Sequence, residues 1–229
     1  ISVLYLVILW RGGLKISRRS FWQVFWVGTI GYGVSLGFQF VGTKLSTAAN
    51  GSLVTSATPA FVLLFAALIL GERITPQRLI ALAVATLGVI AVIDPQTARL
   101  EPDLFWGNVS LVMAAITWAL YSVLIRKVTR EVDVLSTSMI AFVGGLVVSV
   151  PLSIAEINRL GIGEITPAII AGVLFLGIIS TALAMFLWNT AFAELPAGVA
   201  SLTFFAQPVV GTILGVIFLG DQITPMFII

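Results

Sequence analysis

The sequence predicts an all-α polytopic membrane protein. It should have ten helices in two five-helix halves of inverted topology, with seven complete spans and two partial ones in this chain. Three observations predict it. First, 59% of the residues are hydrophobic and only 10% charged, with a mean hydropathy of +1.12. Soluble domains carry roughly 25% charged residues, so this chain has too little polar surface to face water. Second, the stretch 45–76, LSTAANGSLVTSATPAFVLLFAALILGERITP, returns at 195–225 as LPAGVASLTFFAQPVVGTILGVIFLGDQITP. Ser52 and Ser201, Pro59 and Pro208, Gly71-Glu72 and Gly220-Asp221, and Thr75-Pro76 and Thr224-Pro225 all keep one offset of 149 residues. Third, basic residues divide unequally between alternate loops. Arg11, Lys15, Arg18, Arg19, Arg73, Arg78, Arg126, Lys127 and Arg130 fall in one set, and only Lys44, Arg99 and Arg159 in the other. By the positive-inside rule the first set is cytoplasmic. The repeats then run antiparallel, as inverted halves must.

Each span follows from its apolar run. A bilayer core of about 30 Å needs roughly 20 apolar residues per helix. The partial span 1–10 leads through the basic loop RGGLKISRRS to a glycine-dotted span at 21–40. A turn at Lys44 precedes the span 48–70, and a short one follows at 76–93, with Thr75 as cap and Pro76 at the first helical position. The loop DPQTARLEPD connects to spans at 104–125 and 134–155. A loop around Arg159 leads to a long span at 168–193, then a short turn leads to 197–219 and a last fragment opening at Thr224-Pro225. Helices are required because a lone strand would leave its backbone polar groups unpaired in lipid. Ile-Thr-Pro recurs as a start signal at 74–76, 165–167 and 223–225. The two repeats are expected over 1–93 and 104–229, and the span 104–125 should have its partner before Ile1. Gly33–Gly37 and Gly211–Gly215 are spaced for close helix contact. Trp10, Trp22 and Trp106 stand at span ends, as interfacial anchors do.

The GERITP turn with its short following span, the segment GNVSLVMAAITWALYSVLIRK and the GDQITP echo carry a family resemblance over essentially the whole chain. The chain resembles the EamA-type family of the drug/metabolite transporter superfamily. That resemblance implies ten helices in two inverted halves and alternating access without ATP. It also implies a central cavity lined chiefly by the third, fourth, eighth and ninth helices, with contributions from the first and sixth.

The chemistry available is neutral. There is no cysteine and no histidine, which excludes disulfides, thiol nucleophiles and imidazole bases. Every charged residue falls in a loop or at a span end, so no intramembrane proton relay or ion site is marked. No catalytic set, metal site or cofactor is expected, and no basic, aromatic-interleaved face suggests nucleic acid. What remains at mid-depth is polar and aromatic. Ser52, Thr55, Ser56 and Pro59 share one helix face, and Pro59 frees the carbonyl four residues earlier. The repeat places Ser201, Phe204, Phe205 and Pro208 likewise, with Gln207 beside the proline. Serines and threonines in such helices also bond back to their own backbone. A primary amide such as that of Gln207 is costly in hydrocarbon unless paired. Tyr32 and Trp118, near mid-span, read either as cavity lining or as buried packing. The expected substrate-binding set is Tyr32, Ser52, Thr55, Ser56, Trp118, Thr181, Phe204 and Gln207, with Pro59 and Pro208 as kinks.

The expected function is a secondary transporter, not an enzyme. It would move small organic metabolites or amphipathic compounds, amino-acid-like or drug-like, across a prokaryotic cell membrane in the efflux direction. Its expected partners are the solute and the lipid bilayer, with the protein a monomer or homodimer. A channel and a seven-span receptor are the alternatives; the inverted repeat speaks against the receptor.

Overall fold

The computed structural model describes residues 1–10, 12–14, 16–46, 54, 57–73, 75–77, 80, 83–84 and 102–205. Among these, every regular element is helical. In order they are α1 (Ser2–Trp10), α2 (Arg18–Leu45), α3 (Thr58–Leu70), α4 (Pro102–Val128), α5 (Val134–Leu160), α6 (Pro167–Glu194) and the short α7 (Ala197–Ala200), which continues as a 3₁₀ turn over Ser201–Phe205. Four of them, α2, α4, α5 and α6, are long and apolar enough to cross a membrane. α4 and α5 have 27 residues each; at 1.5 Å per residue each is about 40 Å long, more than the roughly 30 Å hydrocarbon core.

Short polar residues start the helices. The Ser17 hydroxyl caps α2 by accepting from the Ser20 amide, Asp133 caps α5 at Ser136, and Thr166 caps α6 at Ile169 ahead of Pro167. Gly71 ends α3 in the left-handed region at φ 69°, which a residue with a Cβ rarely adopts.

α2 packs along α5 and α4, and α3 lies on α4. The α2–α5 crossing is close enough that backbone meets backbone. A Cβ added at Gly144 would fall 2.0 Å from the Phe25 carbonyl oxygen, and one at Gly28 would fall 2.1 Å from that of Ala141. Thr29 lies in this crossing, and its hydroxyl reaches both the Phe25 carbonyl at 3.1 Å and the Gly144 carbonyl at 3.0 Å. There α2 widens into a π-helical stretch, Thr29–Ser35. Gly33 faces Val148 and Gly37 faces Leu152. Further along, Ser35 donates to the Ala114 carbonyl and Ser110 to that of Phe38, each at 2.8 Å, tying α2 to α4. Small residues let helices approach, and the hydroxyls then bond across the gap.

Several spans differ from their expected limits. The expected span 21–40 extends to Arg18–Leu45, since the Ser17 cap starts the helix earlier. The expected span 134–155 runs on to Leu160, through Pro151, so Arg159 lies in the last turn of α5 rather than in a loop. A cation there is favoured by the helix dipole. The regular helix α3 begins at Thr58 with Pro59 in its first turn, where the missing amide leaves no bond unmade. It is entered through tight bonds from Ala57 to Val54 and from Ala60 to Ala57.

The outer surface is apolar. Ile169, Val173, Leu174 and Phe175 on the first half of α6 are all exposed, as are Val147, Val150 and Ile154 on α5. Trp10 and Trp106, 86% and 62% exposed, stand at helix ends.

Candidate functional site

Between α2, α3, α4, α6 and the turn after α7 lies a cavity of about 350 Å³. Four of the residues singled out from the sequence meet there: Tyr32 of α2, Trp118 of α4, Thr181 of α6 and Phe204 of the 3₁₀ turn. Ser52, Thr55, Ser56, Gln207 and Pro208 lie outside the described residues. Thr58, which precedes Pro59, also lines the cavity, as do Gln39 and Ser180. None of the described lining residues is charged. The π-helical stretch of α6, Leu176–Leu183, supplies Ser180 and Thr181. π-Bulges often accompany functional sites because they turn side chains out of the regular register.

The wall is aromatic. Tyr32 and Trp118 meet edge to face with centroids 5.8 Å apart, Trp118 lies 6.1 Å from Trp188, and Trp188 lies 4.9 Å from Phe204. These rings come from four elements and enclose one face of the cavity.

Beneath the rings lies a buried polar tie. The Tyr121 hydroxyl is 2.9 Å from Asn189 Oδ1 and 2.8 Å from the Tyr32 hydroxyl. Asn189 Nδ2 donates to Ser138 Oγ at 2.9 Å and to the Tyr32 hydroxyl at 3.5 Å, and Ser138 donates to the Val134 carbonyl at 2.7 Å. A hydroxyl has one proton. With Tyr121 donating to Asn189, Tyr32 donates to Tyr121 and every polar group is satisfied. Tyr121, Ser138 and Asn189 are fully buried, so an unpaired member would be costly. The tie joins α2, α4, α5 and α6.

A third layer is charged. Arg126, in the last turn of α4, donates through Nη1 to the carbonyls of Phe192 at 3.0 Å, Ala193 at 3.4 Å and Leu195. Its Nε stands 3.6 Å from Glu72 Oε1. Glu72 follows α3, and the same oxygen accepts from the Ala197 amide at 3.0 Å. Along α4, Trp118 lines the cavity, Tyr121 enters the tie and Arg126 enters the charged layer. Ser122 accepts from Trp188 Nε1 at 3.3 Å.

Asn189, Tyr121 and Trp188 are not in the set expected from the sequence. Asn189, like Gln207, is a primary amide within an apolar run, where it is costly unless paired. Tyr121 lies three residues after Trp118 and so on its face of the helix.

A second hollow of about 630 Å³ opens between α2 and α5, with Lys44, Glu156 and Arg159 at its edge. It shares Tyr32, Leu36 and Phe40 with the first.

The model of the EamA-like transporter family matches residues 1–93 and 105–229. The chain belongs to the EamA-like transporter family. Its similarity to curated proteins runs across bacteria and archaea. It is 26% identical to YyaM of Bacillus subtilis (strain 168), named an uncharacterized transporter, over 93% of this chain and 71% of that protein. It is 27% identical to an uncharacterized transporter of Archaeoglobus fulgidus, over 93% of this chain and 74% of that one. A crystal structure with 22% sequence identity superposes with a TM-score of 0.70, covering 99% of this chain and 77% of its own. At that identity the match speaks to the fold alone. Family, named relatives and apolar helices together make this EamA-like protein a multi-pass membrane transporter.

Proposed function

We propose that this transporter is a secondary carrier of small organic solutes with a planar apolar body and neutral or zwitterionic polar groups. It works by alternating access across the cytoplasmic membrane, in the efflux direction, with ten spans in two inverted halves. The uncharged, aromatic-walled cavity carries this reading. The rings of Tyr32, Trp118, Trp188 and Phe204, set edge to face or tilted against one another, offer apolar surface for a flat body. Gln39, Thr58, Ser180 and Thr181 offer hydrogen bonds without a fixed charge. An isolated anion would find no counter-ion among the described lining residues, and its desolvation would go uncompensated there. The volume suits a metabolite-sized solute, toward the lower end of the roughly 300–1,000 Å³ typical of ligand sites.

Sidedness follows from the loop charges. With Arg18, Arg73 and Arg126 at the cytoplasmic face, the cavity lies at mid-membrane, the polar tie on its cytoplasmic side, and the Glu72–Arg126 layer at the inner end of the helices. A solute reaching the cavity from within must pass both layers.

Counterflow tests the proposal. The protein is reconstituted in vesicles preloaded with unlabelled solute from a panel of neutral, zwitterionic and anionic aromatic compounds. Uptake of labelled neutral or zwitterionic solute should saturate and be accelerated by the same solute on the far side. Trp118→Ala should raise the half-saturation concentration roughly tenfold with the maximal rate retained, since the ring contact is lost. Unsaturable flux with no trans-acceleration would make the protein a channel. Unchanged half-saturation in Trp118→Ala would assign Trp118 to packing.

A further inference from the structure

We infer that Glu72 and Arg126 form a releasable latch that holds the cytoplasmic end of the carrier shut, an inference that rests on the alternating-access reading above. The two side chains gather four helix ends at one point. Glu72 stands just after α3, Arg126 in the last turn of α4, and the Phe192, Ala193 and Leu195 carbonyls at the end of α6. The Ala197 amide opens α7. The pairing suits each terminus. A guanidinium answers the orphan carbonyls at the C-terminal end of α6, and a carboxylate answers an amide at the start of α7.

The latch bridges the two repeats, since Glu72 lies in the first and Arg126 and residues 192–197 in the second. It sits two helical turns below Trp118 on α4, beyond the polar tie, so it closes the route from that side to the cavity. It is also incompletely sealed. Both side chains are 18% exposed, although Arg126 Nε itself is buried and faces the carboxylate at 3.6 Å without a hydrogen bond. Charges at the edge of water can be rehydrated when they part, which makes the contact reversible in a way the buried tie is not.

The natural absence of cysteine allows a direct test in the full chain. Ser122→Cys places a reporter one turn inside Arg126 at a fully buried position. Thr181→Cys places another in the cavity wall. Each is labelled with an impermeant maleimide in vesicles of defined orientation, alone and combined with Glu72→Gln or Arg126→Gln. A latch predicts a reciprocal change. Cytoplasmic labelling of the Ser122 reporter should quicken about tenfold, as loss of a part-buried charge contact across four helix ends allows, while external labelling of the Thr181 reporter slows. If both rates rise together, the pair only holds the fold together. If both stay within about twofold, the pair has no gating role; either result overturns the latch. Counterflow by the unsubstituted protein is scored separately, so a failed carrier reading is told apart from a failed latch.

Discussion

Gly144→Leu should leave little folded protein. Its Cβ would fall 2.0 Å from the Phe25 carbonyl oxygen and 3.1 Å from the Thr29 amide nitrogen. Neither is a flexible side chain, so α2 and α5 would have to move apart. That movement would also break the bond from Thr29 to the Gly144 carbonyl and loosen the packing around Tyr32, which touches Gly145 in the same crossing. Overpacking of a rigid contact, with a buried hydrogen bond lost, should cost about 3–5 kcal/mol. Gly172→Leu is the matched control, since nothing lies within 4 Å of its added Cβ on the exposed half of α6. There leucine should be neutral or slightly stabilising, by up to about 1 kcal/mol from helix propensity. Thermal unfolding in detergent, followed by circular dichroism and size exclusion, reads both. Equal melting of the two variants would mean that the α2–α5 crossing is not a close backbone contact.

Asn189→Leu should be the second most damaging change. Leucine keeps the bulk of the side chain but withdraws the acceptor of Tyr121 and the donor to Ser138 and Tyr32. Ser138 keeps its bond to the Val134 carbonyl, so the loss falls mainly on the two tyrosines. Leaving buried hydroxyls short of partners should cost about 2 kcal/mol. Because Tyr32 belongs to both tie and cavity, transport should fall with stability. Tyr121→Phe removes the orphaned hydroxyl, so the double variant Asn189→Leu/Tyr121→Phe should be less destabilised than the sum of the two single changes. A double-mutant cycle in thermal stability measures the difference, expected at about 1 kcal/mol. Strict additivity would show that the two groups do not act as one network.

The helical class was legible because the signal is long and redundant. Runs of about 20 apolar residues have one solution in lipid, and the recurrence of Pro59, Gly71-Glu72 and Thr75-Pro76 at a fixed offset is independent of hydropathy. Tyr32, Trp118, Thr181 and Phe204 could be singled out because depth in a span is nearly a linear coordinate along the sequence. Asn189 was less legible. It lies within the last two turns of α6, and its burial comes from contact with α2, α4 and α5, which no local pattern encodes. The π-helical stretches in α2 and α6 were not legible either, since they arise from how neighbouring helices approach. The extension of α5 past Pro151 has the same character. A proline marks a weakened turn, and surroundings decide whether the helix ends there. Arg126 and Glu72 were visible as span-end charges, but their meeting depends on which helix ends the fold gathers.

The central claim, that two halves of opposite orientation surround one cavity, is tested most directly by sidedness. In the cysteine-free chain, Arg18→Cys and Asp221→Cys are made singly and exposed to an impermeant maleimide from one face of the membrane, then from the other. Residue 18 opens α2, and 221 lies in the turn Gly220-Asp221 that repeats Gly71-Glu72. The account predicts that residue 18 reacts only from the cytoplasmic face and residue 221 only from the opposite one. Labelling of both from the same face would contradict it, since the repeats would then be parallel and the shared cavity could not be presented to both sides by equivalent movements of the two halves.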